Sequence, residues 1–210
     1  MNNSLKSDSM ETLLAWESWA GEVRINLIRM LAIAIFYSHH LIRVYLLKDT
    51  PSDIAFEVRV TVLVLSYGVV VAALYYVLRL GFLHPWIKYL VTLWDVLMIA
   101  AFVVVMDTPQ SVFLMLFLLP IAASALRLSL PLVYFSTISG AIAYLAILAH
   151  HAWLVVGSEA YYGDATNRIP RSEQVVVLLV LLTAGLLAGQ AVRQVKRIVH
   201  SLGSVPSGAA

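Results

Sequence analysis

The stretch from Val23 to Leu47, VRINLIRMLAIAIFYSHHLIRVYLL, limits most strongly what this chain can fold into. A bilayer core about 30 Å thick is crossed by about 20 mostly apolar residues in a helix rising about 1.5 Å per residue. This stretch is long enough to cross. Five more apolar stretches follow it: about Phe56 to Leu80, Trp86 to Met106, Ser111 to Leu130, Leu132 to Val156 and Glu173 to Val192. Lipid offers no hydrogen bonds, so each stretch must satisfy its own backbone as a helix. The expected fold is an all-α integral membrane protein, a bundle of six transmembrane helices. With 12% charged residues, where soluble domains carry about 25%, the chain is suited to lipid.

Three segments are expected: a tail over 1–22, a six-helix membrane domain over 23–197 and a short tail over 198–210. Within the first, Leu13, Trp16 and Trp19 recur at helical spacing opposite Glu11 and Glu17, a pattern suited to a helix lying on the headgroups. Asp8, Glu11, Glu17 and Glu22 do not fit the basic start and short apolar core of a secretory signal. The absence of cysteine excludes disulfides, thiolate metal sites and thiol nucleophiles. A net charge of +2 gives no nucleic-acid surface.

Short turns join the spans, at Lys48–Asp53, Gly81–Pro85, Asp107–Gln110 and Pro131, and the longest connection is Gly157–Arg171. Pro120 falls near the middle of the fourth span, where its missing N–H should kink the helix. Nine of the 14 lysines and arginines fall on the side of the two termini and five on the other: Arg43, Lys48, Arg59, Arg168 and Arg171. The positive-inside rule then puts both termini in the cytoplasm.

A lone carboxylate at a helix centre costs about 2.5–3.5 kcal/mol on insertion scales, so Asp95 needs a partner or water. Arg29 lies at similar depth and is its expected counter-ion, with Arg127 and Lys88 as further cations; such a pair either fixes packing or acts as a switch. His39-His40 and His150-His151 fall on spans that run in the same direction, both in the outer third of the bilayer. One histidine of each pair could ligate a haem or a metal, while the alternative is interfacial histidines bonded to Tyr37, Trp153 or headgroups. Gly185-Leu-Leu-Ala-Gly189 is a small-xxx-small face that lets helices approach closely, within the bundle or between copies. Beyond it Val192, Val195, Val199 and Leu202 form an apolar stripe beside the basic Arg193, Lys196 and Arg197. That stripe is expected to leave the membrane for two to three turns as a seam for another helix, the alternative being a basic membrane stop held by headgroups. No HExxH, P-loop, GxSxG or GxGxxG pattern occurs, so no enzyme is expected.

Arg24-Ile-Asn26-Leu-Ile-Arg29, Phe36-Tyr37-Ser-His-His40, Lys88-Tyr89, Asp95, Ala125-Leu-Arg127-Leu-Ser-Leu-Pro131-Leu-Val-Tyr-Phe135 and Gly189-Gln190-Ala-Val-Arg193 resemble the six-span N-terminal membrane domains that precede adenylate/guanylate cyclase or kinase effectors in bacteria. The resemblance spans about Val23 to Arg197. It implies a membrane sensor or anchor whose sixth helix hands a conformational change to a cytoplasmic output, here supplied by a partner chain or a homo-oligomer. A second function follows from the histidines, a b-type haem electron carrier. A third, a small transporter, rests only on one kinked helix and one buried acid.

Overall fold

Polar side chains turn inward in the first helix and leucines turn outward. In the first helix, α1 (21–35), Glu22, Asn26 and Arg29 recur at spacings of four and three and are all buried, whereas Leu27 and Leu31 are 65% and 60% exposed. In water, that exposure would cost about 25 cal/mol per Å² of apolar surface. In lipid it costs nothing, because acyl chains are as apolar as leucine. The computed structural model describes residues 21–35, 37, 38, 41, 42, 46, 54–80, 84–105, 112–157, 161 and 169–203. Among these residues there is no strand.

The chain forms two compact units, residues 1–85 and 86–210. In the first, α1 packs with α2 (Ile54–Arg79), and the buried Asn26 Nδ2 donates to the Val71 carbonyl at 3.3 Å. Glu57 in the first turn of α2 and Arg79 in its last complement the helix dipole.

The second unit follows on as α3 (Pro85–Val105), a 3-10 segment (Val112–Phe117) running into α4 (Leu118–Leu126), α5 (Leu130–His150) with a π-helical turn (His151–Val155), and α6 (Arg171–Gly203). Among the described residues four helices are long and apolar enough to cross a membrane: Ile54–Arg79, Trp86–Val105, Leu130–Val155 and Arg171–Ile198. The fourth expected span is shorter, and its discontinuity is a change of helix type before Pro120. Pro120 thereby falls in the first turn of α4, directly after the 3-10 segment, and the change of winding accommodates its ring and its missing N–H. Six 3-10 residues at about 2.0 Å and nine α residues at about 1.5 Å still reach about 25 Å.

The α5 helix is the hub of the second unit: half of its span is buried, against 28% for α3 and 22% for α6. Its inward residues Val133, Ser136, Thr137, Gly140, Tyr144 and Ile147 recur at intervals of one, three and four, so the buried face is one stripe along the helix. Ser136 and Thr137 return their hydroxyls to the Val133 carbonyl at 3.0 and 2.8 Å, which makes them harmless in an apolar core. Gly140 lies under Phe117, whose ring would be 3.7 Å from a Cβ placed there. Small residues also set the approach of α6. A Cβ at Gly185 would overlap the Thr137 side chain, and one at Gly189 would lie 3.4 Å from Leu130 Cδ1 and 3.5 Å from Tyr134 Oη. Both glycines of the small-xxx-small motif therefore face α5 of the same chain.

The turn from α4 to α5 is only Arg127-Leu128-Ser129, and it closes because Leu128 takes φ 51°, the left-handed region. A branched aliphatic residue there stores of order 1 kcal/mol of strain. Leu128→Gly should be neutral or stabilising in thermal unfolding in detergent, although it deletes a side chain, and Leu128→Val should be destabilising. Gly185→Ala should cost about 1–3 kcal/mol by overpacking. Thr137→Ala should then recover part of that loss in the double variant; a simple sum of two losses would refute the contact.

Candidate functional site in the membrane-embedded polar groups

Side chains that could do chemistry or switch state are scarce in the apolar segments, and each unit gathers its own. In the first they are Glu22, Asn26 and Arg29, all on the buried face of α1. In the second they lie where α3 meets the end of α4. Thr92 and Asp95 are three residues apart on α3, hence on one face of it, and both are buried, 1% and 7% exposed. Ser124 on α4 is fully buried and donates to the Pro120 carbonyl at 2.7 Å.

Arg127 sits at the C-cap of α4, the end at which a cation is favoured by the helix dipole. Its Nη1 donates to Thr92 Oγ1 at 3.1 Å, and the same hydroxyl donates to the Lys88 carbonyl at 2.8 Å. Thr92 thus uses both its donor and an acceptor lone pair, and the guanidinium ties the end of α4 to the first half of α3. The left-handed Leu128 next to it turns the chain straight into α5, so Arg127 is held by a tight corner on one side and a hydrogen bond on the other. Asp95 is one helical turn from Thr92 along the same face.

The end of the unit that holds this corner also holds the exit of α6. Arg193 Nη2 donates to the Tyr134 hydroxyl at 2.7 Å, and Val192 beside it is 1% exposed in the hydrophobic core. Tyr89 meets Phe135 edge-on with centroids 5.2 Å apart, so the starts of α3 and α5 are in contact at this level. At the other end of α5, His150 closes the α-helical part. His151 opens the π-helical turn, in which the Val156 amide donates to the His151 carbonyl at 3.0 Å. The His151 ring packs edge-on against Tyr161 at 6.5 Å.

Several sequence expectations can be set against this geometry. Arg127, a secondary cation in the sequence reading, makes a side-chain hydrogen bond between α4 and α3. Arg29 belongs to the first unit and Asp95 to the second, and each is buried. Val192, expected on the partner-facing stripe, belongs instead to the core, because the direction of Gly185 and Gly189 carries through it towards α5. Val195, one turn on, is 39% exposed. The side-chain surroundings of Val199 lie outside the described residues, as do His39 and His40 and so one half of the expected haem-ligating set. Among the described residues no group of three or more His, Asp or Glu could hold a metal ion.

Thr92, Ser124 and Tyr134 were missed as site residues, since a hydroxyl inside an apolar run is usually returned to its own helix. For Thr92 and Tyr134 the signal was an arginine elsewhere that needed an acceptor. No family model, curated protein or solved structure matches the chain.

Thr92→Val and Arg127→Leu test the clamp. Each single variant should lower stability in detergent by about 0.5–1.5 kcal/mol, because it removes the Arg127–Thr92 hydrogen bond between helices. The double variant should lose less than the sum, with a coupling of 0.5 kcal/mol or more by thermal unfolding. Strict additivity would mean that the 3.1 Å contact contributes nothing.

Proposed function

We propose that this chain is a non-enzymatic six-helix membrane sensor or anchor that passes a conformational signal to a partner, or assembles with copies of itself, through α6. Both termini lie in the cytoplasm in this proposal, and the membrane is a bacterial inner membrane. The observation that carries it is the continuity of α6. Its 33 residues run unbroken from Arg171 to Gly203, past the end of the apolar stretch at Arg193, while its middle is seated on α5 through Gly185, Gly189 and Val192.

A helix fixed so closely inside the bundle transmits displacement to whatever it carries outside, because a packed interface does not slide continuously. The Arg127–Thr92 and Tyr134–Arg193 bonds support the same role, since they tie α3 to the end of α4 and α5 to the exit of α6. Val195 and Val199 then offer the apolar contact for an output helix. That segment is shorter than the roughly 12–15 residues an isolated helix needs in water, so it requires a packing partner.

Val195→Asp and Val199→Asp should abolish self-association, or co-purification of a partner, while leaving the melting temperature of the bundle within a few degrees of the parent. If both variants retain every association, α6 is a membrane stop and the output role falls. The purified protein should also show no Soret band. A Soret band lost on His150→Ala or His151→Ala would instead favour the haem-carrying electron-transfer role.

A further inference from the structure

Where α3 begins, α4 stops, α5 begins and α6 runs outward, the second unit gathers Lys88, Arg127, Arg193, Lys196 and Arg197. Acid is almost missing from the same elements. The sequence has no Asp or Glu between Asp107 and Glu159 or after Glu173, and Asp95 lies about 15 Å along α3 from its start. At the opposite end, the charges among the described residues of α6 are Arg171 and Glu173, which offset each other. Among the described residues, the end at which α6 leaves is therefore the basic one.

The basic end has an aromatic layer at the same level. Trp86 is 70% exposed and stands 6.3 Å from Tyr89, which contacts Phe135, and Tyr134 accepts the Arg193 hydrogen bond. Trp and Tyr favour headgroup depth, which puts Arg193 among the headgroups. Lys196 and Arg197 follow Arg193 by three and four residues, so they continue one turn further on the same side, and all three are exposed.

What lies below these cations on α6 decides the ligand. Leu179 and Leu186 precede Arg193 by two and one intervals of seven, so they fall in line with it along the helix. Both face outward, at 54% and 59% exposed, and Leu182 beside them is 46% exposed. An apolar stripe about two turns long, capped at headgroup depth by three cations, has the shape and polarity of a phospholipid: acyl chain beneath, phosphate above. An acidic peptide in water would match the cations but not the leucines. Stacking solvated cations at the C-terminal end of a helix would satisfy the dipole alone, without needing the leucines or the aromatic layer.

We infer that α6 carries a binding site for an anionic phospholipid, whose acyl chain lies along Leu179, Leu182 and Leu186 and whose phosphate is held by Arg193, Arg197 and Lys196. Arginine suits the role because its planar fork can engage two phosphate oxygens at once. The Tyr134 hydroxyl holds Arg193 at the edge of the site and so limits the rotamers from which it meets the headgroup.

The full chain in detergent, titrated with phosphatidylglycerol or with phosphatidylcholine of the same acyl chains, tests this by native mass spectrometry of the bound lipid. The parent should prefer phosphatidylglycerol. Arg193→Gln/Lys196→Gln/Arg197→Gln should reduce that affinity on the order of a hundredfold, at about fivefold per cation near a charged surface, to the level of phosphatidylcholine. No preference in the parent, or an unchanged preference in the triple variant, would overturn the site. Inorganic phosphate should not displace the lipid; displacement at comparable concentration would mean a free-phosphate site and would overturn the lipid assignment. Should the triple variant melt early, Lys196→Gln/Arg197→Gln keeps the Tyr134 bond. A loss on the order of 25-fold at unchanged melting temperature supports the site, and a loss under fivefold refutes it.

Discussion

A solvent that cannot hydrogen-bond dictates the arrangement of this protein. Every backbone group in the apolar segments must be satisfied within its own helix, and every polar side chain must find a partner in the protein or turn back on its own backbone. Ser124, Ser136, Thr137 and Thr183 take the second course, each donating to a carbonyl three or four residues earlier. Asn26, Thr92 and Arg127 take the first. The polar contacts between helices are consequently few, and each one names a pair of elements whose relative position it fixes.

Close approach does the remaining work, since apolar burial gives helices in lipid no reason to associate. Contact area between backbones substitutes for it, and contact area depends on small residues. Gly185, Gly189 and Gly140 all line the surroundings of α5, against Thr137, Tyr134 and Phe117 respectively. The result is a central helix buried on half its span with α4 and α6 seated on it. The polar bonds then sit at one end of this packed unit, where the helices enter and leave.

The helical architecture was readable because runs of about 20 apolar residues admit few alternatives. Their ends were less readable: Pro131, read as the turn between two spans, lies in the first turn of α5, and the turn itself is Arg127–Ser129, because proline fits the start of a helix as well as a turn. The role of Gly185 and Gly189 was legible only as two options, because a small face does not say which helix will use it; the Thr137 side chain supplied the answer. Arg127 was ranked behind Arg29 because depth was counted along the helices, and depth alone does not tell which way a side chain at a helix end bends back. The change of helix type before Pro120 was invisible for a similar reason. Proline announces a missing donor, but not whether the backbone will kink after it or tighten before it. Function was the least legible layer, because the chain spends its few polar residues on holding helices together, and such residues look alike in sensors, anchors and carriers.

The 3-10 segment at Val112–Phe117 gives the apolar helical stretch that continues into α4 an adjustable length. Rewound as α-helix, the same six residues would shorten by about 3 Å, whereas α3, already α-helical throughout, has no comparable reserve. A bilayer that thins or thickens by a few ångströms costs fractions of a kcal/mol per ångström of mismatch. That is the range in which one turn of helix can change its winding. Because the far end of α4 is fixed at Arg127, the change would be taken up at the opposite face of the membrane, so hydrocarbon thickness has a defined point of entry into this fold.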